Sequence, residues 1–363
     1  MAASRQRQRP AGIQPVGRCP FRRGEFRVFG RQSSPCCSSG TTFCAATRET
    51  DGVIGFDAAA IRERLAACGL GNAGVSLHDT LDSTHTWLKS AITEGAARAP
   101  FVCATDWQQA GLATRGRHWQ TPAGNLTFSL LHESPRSAPE LMGLSLVTGI
   151  AIAQTLAQKC GVEALVKWPN DVLVEDHKIA GILMDVLPIP DTCTVHSAAA
   201  ASIPRPQTRV LAGIGINMVH EDAHEELGMG ATSLERHWSL QARECRHLAE
   251  RQRPNEAHPG RPLRDRLLVD CVAAVLEAWQ RFDAAGWAAF AEVWPDVDAL
   301  RDRDVRLIAR SAGDGKGDHW IARGVDAHGA LKLERQLPDG SSLTEYVYSG
   351  EVSVRLGKPN RPG

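Results

Sequence analysis

The sequence predicts an α+β chain, a mixed-sheet domain followed by a small all-β barrel, and three observations carry that reading. Strand-like and helix-like segments succeed one another without the strict alternation that a doubly wound parallel sheet requires. After Pro295 the texture changes, and short β-prone runs recur about every ten residues with Gly or Asp between them. The length of 363 residues, with 43% apolar side chains and 41 basic residues balanced by 41 acidic ones, is ordinary for a globular protein of two or three domains.

Residues 1–53 are predicted to be a disordered basic extension, because residues 1–50 hold nine arginines against Glu25 and Glu49 and no period is sustained. An Arg- and Ser-rich, acid-poor start is similar to a transit peptide. It fits equally a start codon placed too far upstream, or an arm that binds nucleic acid. The main domain is expected over 54–294. Phe56–Cys68 has apolar residues at helical spacing and Gly69 as a stop. Val75–Leu81 is strand-like, and Ser83-Thr84 caps the helix after it. Phe101–Thr105 and "LTFSLLH" from Leu126 are further strands, and Ala138–Cys160 is a long, nearly all-apolar helix. Val172–Val174 and Ile179–Val186 form a hairpin around the polar Glu175–Lys178. Loop insertions are expected near 188–208, rich in Pro, Ala and Ser, and near 239–264, rich in His and Arg. Between them "VLAGIGINM" is a strand. Leu267–Phe282 and Trp287–Trp294 are helices, 295–357 is the barrel and 358–363 a tail.

Composition excludes several classes. A formal charge of zero gives no bulk attraction to nucleic acid or membrane. No uninterrupted apolar run of about eighteen residues occurs, so no membrane span is expected. The ten cysteines are irregularly spaced with no secretory signal, which predicts reduced thiols and a cytoplasmic protein. No C-x-x-C pair exists, so no zinc site is expected.

Four short segments carry the chemistry. "QQAGLATRGRHW" mixes Gly111 and Gly116 with Arg115 and Arg117; it either closes over an anionic ligand or is a solvated loop. It is neither a Walker loop nor a dinucleotide fingerprint. In "GIGINM", Gly213 and Gly215 leave one strand face bare, for a flat ligand or for a packed helix, with Asn217 at its end. "DSTHTWL" is the third. In "VKWPNDV", Lys167 stands beside a proline-stiffened turn that fixes its direction.

The order and content of "DST", "QQAG", "RGR", "KWPNDV", "KIAGIL" and "GIGINM" closely resemble the biotin–protein ligases, also called biotin–[acetyl-CoA-carboxylase] ligases, over about residues 75–357. The tail motifs "GVDAHGALKLE" and "GEVSVR" look like that family's C-terminal barrel. The resemblance implies a catalytic domain with the class II aminoacyl-tRNA synthetase/biotin ligase fold. It implies that biotin and ATP, with Mg, give biotinyl-5′-adenylate, and that biotin then passes to one lysine of the biotin carboxyl carrier protein of acetyl-CoA carboxylase. By the same resemblance Lys167 is the catalytic ammonium, assisted by Arg115 and Arg117. Ser83, Thr84, His85, Gln108, Gly111, Leu112, Ala113, Thr114, Gly181, Gly213 and Gly215 border biotin together with Lys167. Arg115, Arg117, Trp119, Asn170 and Asn217 face the nucleotide. No metal is held by the protein itself; Mg is held through ATP phosphates and water.

Two departures from the family pattern stand out. His85 replaces the Asn of Ser-Thr-Asn, and Leu112 and Thr114 replace two arginines of the family's G-R-G-R-R-G-R loop, which predicts a more weakly held adenylate. Residues 1–53 offer no pair of helices joined by a short turn, so a monofunctional ligase without specific DNA binding is expected. The carrier protein is expected to dock by adding a strand to the sheet, and a homodimer by the same surface is compatible. Alternative readings are a lipoate or octanoate ligase, or a non-catalytic regulator that binds biotinyl-adenylate.

Overall fold

The alternation of apolar and polar residues in the strand-like runs dictates a sheet with two different faces, and the computed structural model shows how each is covered. It describes residues 55–120, 124–189, 208–219, 230–237, 261–309, 319–348 and, for the backbone, 352–356, all within the compact unit Asp51–Gly363. The readings made of 1–53, most of both insertions and the tail lie outside these residues.

The main sheet has seven strands, β1 (Gly74–Leu81), β2 (Phe101–Gln108), β3 (Leu126–Ser134), β4 (Leu165–Lys167), β5 (Asp171–Val174), β6 (His177–Pro188) and β7 (Thr208–Ile216), in the order β1-β2-β3-β7-β6-β5-β4. Only β1 and β2 pair in parallel; every other pair is antiparallel, so the sheet is mixed. Helix α1 (Ala58–Ala67) is capped by Asp57, whose carboxylate accepts from Ala60 N at 2.9 Å. Helix α2 (Thr84–Thr93) is capped by Ser83.

The apolar run read as one helix over 138–160 is divided. Ser137 and Glu140 make a capping box around a short 3₁₀ turn, Ala138–Leu141, and Gly143 at φ +85° breaks the chain before α3 (Leu144–Cys160). Gly143 is needed for a second reason. The Cα of Gly143 would lie 2.7 Å from a Cβ on Gly329, so the two backbones touch there. By length and hydropathy alone Ala138–Cys160 has the character of a membrane span, but 67% of it is buried inside the fold. It is a core helix.

After the short α4 (Leu234–His237), helix α5 runs Arg261–Ala285, six residues earlier than the hydrophobic period indicates. Its first turn is polar, and Arg264 and Asp265 are held by contacts with β2 and α1 rather than by an apolar stripe. The expected helix Trp287–Trp294 is instead a 3₁₀ turn, Gly286–Ala289, and a short α6, Trp294–Val297. Behind it β8 (Asp304–Ala309), β9 (His319–Val325), β10 (Leu331–Gln336), β11 (Ser342–Val347) and β12 (Val352–Leu356) form an antiparallel sheet, order β11-β10-β9-β8-β12.

Helices α1, α3 and α5 cover one face of the main sheet. Phe128, Leu130, Val210, Ala212, Ile214 and Ile182 point into this core with Ile150, Val147 and Trp279. Each fully buried side chain of this kind contributes about 1.5–3 kcal/mol. On the opposite face α2 buries Leu88, Ala91 and Ile92 against Cys103, Leu131 and Leu211. That cover ends partway along the strands, and the site begins where it stops.

Candidate active site

The cross-strand layers on the α2 face change character step by step. Leu131 pairs with Leu211, which faces Asp185; Ser129 pairs with Gly213, which faces Leu183; Thr127 pairs with Gly215, which faces Gly181. Apolar bulk therefore gives way to small hydroxyls and bare glycines. A cavity lies over this floor. It is closed at one end by Ser83, Thr84 and His85 at the start of α2, and roofed by Leu112, Ala113 and Thr114 from the loop after β2.

That loop is folded back on itself. Leu112 and His118 form an antiparallel bridge, Trp119 N donates to Gly111 O at 2.8 Å, and Ala113 N donates to Arg117 O at 2.9 Å. A Cβ on Gly111 would lie 2.3 Å from Trp119 O and 2.8 Å from Gln108 Nε2. Gly111 therefore makes the loop's closure sterically possible without lining the cavity. We expect Gly111→Ala to prevent that closure and raise the Kd for ligand about ten-fold or more, in line with the 1–3 kcal/mol of an overpacked contact; calorimetric titration measures it.

At the inner end Gln108 Oε1 accepts from Thr84 N at 2.8 Å and Thr84 Oγ1 at 3.2 Å, and Thr84 Oγ1 lies 2.8 Å from Ser129 Oγ. These groups are buried and mutually fixed. A buried polar network satisfied in this way positions a ligand without having to reorganise.

Among the described residues, the cation that lines the cavity is Lys178. Its ammonium is paired with Asp171 and lies 5.3 Å from the centroid of the Trp119 ring. A Cβ on Gly181 would approach Lys178 Nζ to 2.9 Å, so the ammonium reaches across the bare glycine. Strand parity alone would send Lys178 to the core face with Ala180 and Ile182. The ladder shows otherwise: Val172 pairs with Ala180 but Leu173 pairs with Lys178, so Ile179 is the extra residue of a β-bulge. The bulge sends Ile179 and Ala180 into the core and turns Lys178 to the glycine face.

Lys167, expected as the catalytic ammonium, ends β4 opposite Asp171 and is not among the residues lining the cavity. The stiff turn is present, with a cis Trp168–Pro169 bond. Its tryptophan is buried, Nε1 donating to Gly329 O at 3.1 Å, and Asn170, rather than Lys167, reaches the cavity. Asn170 also donates to Ile182 O at 2.7 Å.

Of the other expected residues, Ser83, Thr84, His85, Gln108, Leu112, Ala113, Thr114, Trp119, Gly181, Gly213 and Gly215 line the cavity. Arg117 is exposed on the loop, where its Nε donates to Thr114 O at 3.4 Å, and it is not a lining residue. The backbone of Arg115 lies in the 3₁₀ turn Thr114–Gly116; its side chain is outside the described residues. Asn217 is buried away from the cavity as a brace. Its Nδ2 donates to Thr232 O at 3.0 Å and Lys178 O at 3.3 Å, which fixes the strand that carries Lys178.

The sequence reading missed Lys178, Thr127, Ile182, Leu183 and Ile214 in the lining. Thr127 had a signal: with Ser129 it is polar on one face of a strand whose other face is Leu126, Phe128 and Leu130. Trp119 lies directly on the floor, since a Cβ on Gly215 would be 2.3 Å from its Cε2. The alternate glycines thus accommodate a flat aromatic face.

Comparison with known proteins agrees with this geometry. Residues 77–196 match the description "Biotin/lipoate A/B protein ligase family". The chain is 30% identical over 287 residues to the bifunctional ligase/repressor BirA of Salmonella typhimurium, covering 79% of this chain and 76% of that one. It is likewise 30% identical to the biotin–[acetyl-CoA-carboxylase] ligase of Paracoccus denitrificans, covering 67% of this chain and 90% of the other. In fold it is similar to the biotin protein ligase of Aquifex aeolicus solved with biotin and ATP, with a TM-score of 0.55, 20% identity, and coverage of 78% and 99%. A glycine-floored cavity bordered by the motif residues, in a mixed sheet shared with that structure and a sequence shared with those relatives, makes this chain a member of the biotin–protein ligases.

Proposed function

We propose that the protein joins biotin to ATP, giving biotinyl-5′-adenylate and pyrophosphate, and then transfers biotin to a lysine of the biotin carboxyl carrier protein of acetyl-CoA carboxylase. The observation that carries the reading is the Lys178 ammonium standing over Gly181 at a cavity with a polar inner end. In the first step a carboxylate oxygen bonds to the α-phosphorus and the bond to the β-phosphate bridge breaks. Anionic charge gathers where three negative groups converge, and a fixed ammonium offsets it. In the second step the carrier amine attacks the acyl carbon and AMP leaves. Lys178 suits both steps, because its charge is compact and carries three donors, of which Asp171 uses part.

Asp171 orients the ammonium as a positioning residue. Trp119 and Asn170 are the groups offered to the nucleotide, and the folded loop 111–119 excludes water from a hydrolysable anhydride. No cluster of three or more His, Cys, Asp or Glu among the described residues could hold a metal. Magnesium would arrive on the phosphates of ATP. For the carrier, the outer edge of β1 supports docking by strand addition. The opposite edge, β4, is already met by Ala299, whose N donates to Val166 O at 3.0 Å. A cytoplasmic setting is supported by Cys68, Cys103 and Cys271, which are thiols outside any disulfide among the described residues.

The test is incubation of the purified full chain with biotin, MgATP and a biotin carboxyl carrier domain, with lipoate and octanoate in parallel. A mass increase of one biotinyl group on the carrier supports the reading. Modification with lipoate or octanoate only would replace it with the other branch of the family.

A further inference from the structure

The ligand proposed above ends in a cyclic urea, which presents two N–H donors and one carbonyl acceptor. The carbonyl has a ready donor in the hydroxyl of Ser83, whose oxygen accepts from Thr86 N. Acceptors for the N–H groups are scarcer, because Gln108 Oε1 is already engaged twice by Thr84. Two lining residues, each 4% exposed, carry a polar atom there with no hydrogen-bond partner, His85 through Nδ1 and Thr127 through Oγ1. Buried polar atoms without partners cost free energy, which a ligand that supplies the missing bonds returns.

His85 is also the residue at which this chain departs from the Ser-Thr-Asn pattern. Its Nε2 lies 3.2 Å from Asp185 Oδ2, slightly off the line of a full hydrogen bond, and its Nδ1 lies 3.1 Å from where a Cβ on Gly213 would be. Asp185 is held in turn by Lys89 Nζ at 2.9 Å. A carboxylate beside Nε2 favours the tautomer with its proton there, since a lone pair facing that oxygen would be repelled. The other nitrogen is then an acceptor.

We propose that His85, with its tautomer set by Asp185, accepts a hydrogen bond from a ring N–H of the cyclic urea through Nδ1 over Gly213, and so reads the urea end of the ligand. This rests on the biotin reading and goes beyond it. The charged groups facing His85 among the described residues are Asp185 from β6 and Lys89 from its own helix. Strands β3 and β7 present Ser129 and Gly213, and the cavity's other cation, Lys178, is engaged by Asp171.

Protonation would place a second N–H on Nδ1, facing the ligand's own donor. Burial pushes the His85 imidazole below its ordinary range, with Asp185 opposing and Lys89 adding to it, so the acceptor form prevails at neutral pH. Burial works against ionisation of Asp185 as well, but Lys89 and His85 together hold its carboxyl below the ordinary range, so it stays charged through the same interval. Binding therefore weakens only on the acid side, approaching about ten-fold per pH unit once His85 titrates.

Calorimetric titration of the full chain with biotin alone, between pH 5.0 and 8.0, tests this. The wild type should show that acid-side loss. His85→Asn, which offers an amide oxygen that does not titrate, should bind within a few-fold of wild type at pH 8 and stay flat. His85→Phe should bind about ten-fold or more weakly throughout. Circular dichroism at each pH establishes that all three remain folded, with His85→Gln standing in for His85→Asn, and His85→Leu for His85→Phe, where either does not. Binding by His85→Phe within a few-fold of wild type at pH 8, or an acid loss undiminished in His85→Asn, overturns the role of His85 while leaving the biotin reading intact. No biotin binding at any pH overturns both.

Discussion

Lys178→Ala is expected to lower the rate of adenylate synthesis by about 10²–10³-fold or more, the usual cost of removing one fixed donor from a developing anion. Biotin-dependent exchange of labelled pyrophosphate into ATP measures it directly. The fold should survive, because Lys178 sits at a bulge with its ammonium toward the cavity and its loss leaves the core side of β6 unchanged. Lys178→Arg should not rescue the rate. A planar guanidinium is larger than an ammonium, and the space over Gly181 is already filled by Trp119 on one side and Lys178 itself on the other. The contrast is Lys167→Ala, expected to cost less than about ten-fold, since Lys167 is not a lining residue. If the two results came out reversed, the rigid Trp-Pro turn would be the cation's mount after all, and the bulge would have no catalytic meaning.

That contrast shows what the sequence made legible. The segment Val166–Val186 reads correctly as a hairpin, and the structure turns it at Glu175 and Asp176, which take φ values of 50° and 65°. Of its expected site residues, Asn170 and Gly181 line the cavity and Lys167 does not. What the one-dimensional pattern could not give was the face on which each residue points, because one extra residue in a ladder reverses parity from there on. Lys178 was legible as a residue and illegible as a direction. The same holds for Asn217, for which the family resemblance implied a nucleotide contact. Its partners are brought near by tertiary structure, Lys178 O by the pairing of β6 with β7 and Thr232 O by the segment that begins at Gly230. The small sheet was easier: its pairings are nearly all local, and regular spacing of Gly and Asp is enough to place them. Helix α5 was harder at its start, because a polar first turn held by ion pairs carries no hydrophobic period.

That polar first turn is also where the largest effect on stability is expected. Arg264 is 1% exposed, is ion-paired with Asp106 of β2, lies 3.9 Å from Asp265, and stacks 4.0 Å over the ring of Phe56 just before α1. One guanidinium thus ties α5, the sheet and the entry to α1. Arg264→Leu should destabilise the protein by about 3–5 kcal/mol, because the loss leaves two acids, each less than 7% exposed, without their compensating charge. Burial already pushes the Asp106 carboxyl up to about 6, against the pull of Arg264, and without that pull it goes higher. The folded state then holds a proton that the unfolded state gives up near its ordinary value, so the variant loses stability as pH rises from about 4 through the raised pKa. Urea midpoints at pH 5 and pH 8 should therefore differ more in Arg264→Leu than in the wild type, with the lower midpoint at pH 8. Adding Asp106→Asn to Arg264→Leu should return part of the loss and flatten the pH dependence, since an amide carries no charge to leave unpaired. A single variant within about 0.5 kcal/mol of wild type, at either pH, would mean that water replaces the guanidinium, and that apolar packing of α5 on α3 alone holds this end of the helix to the sheet.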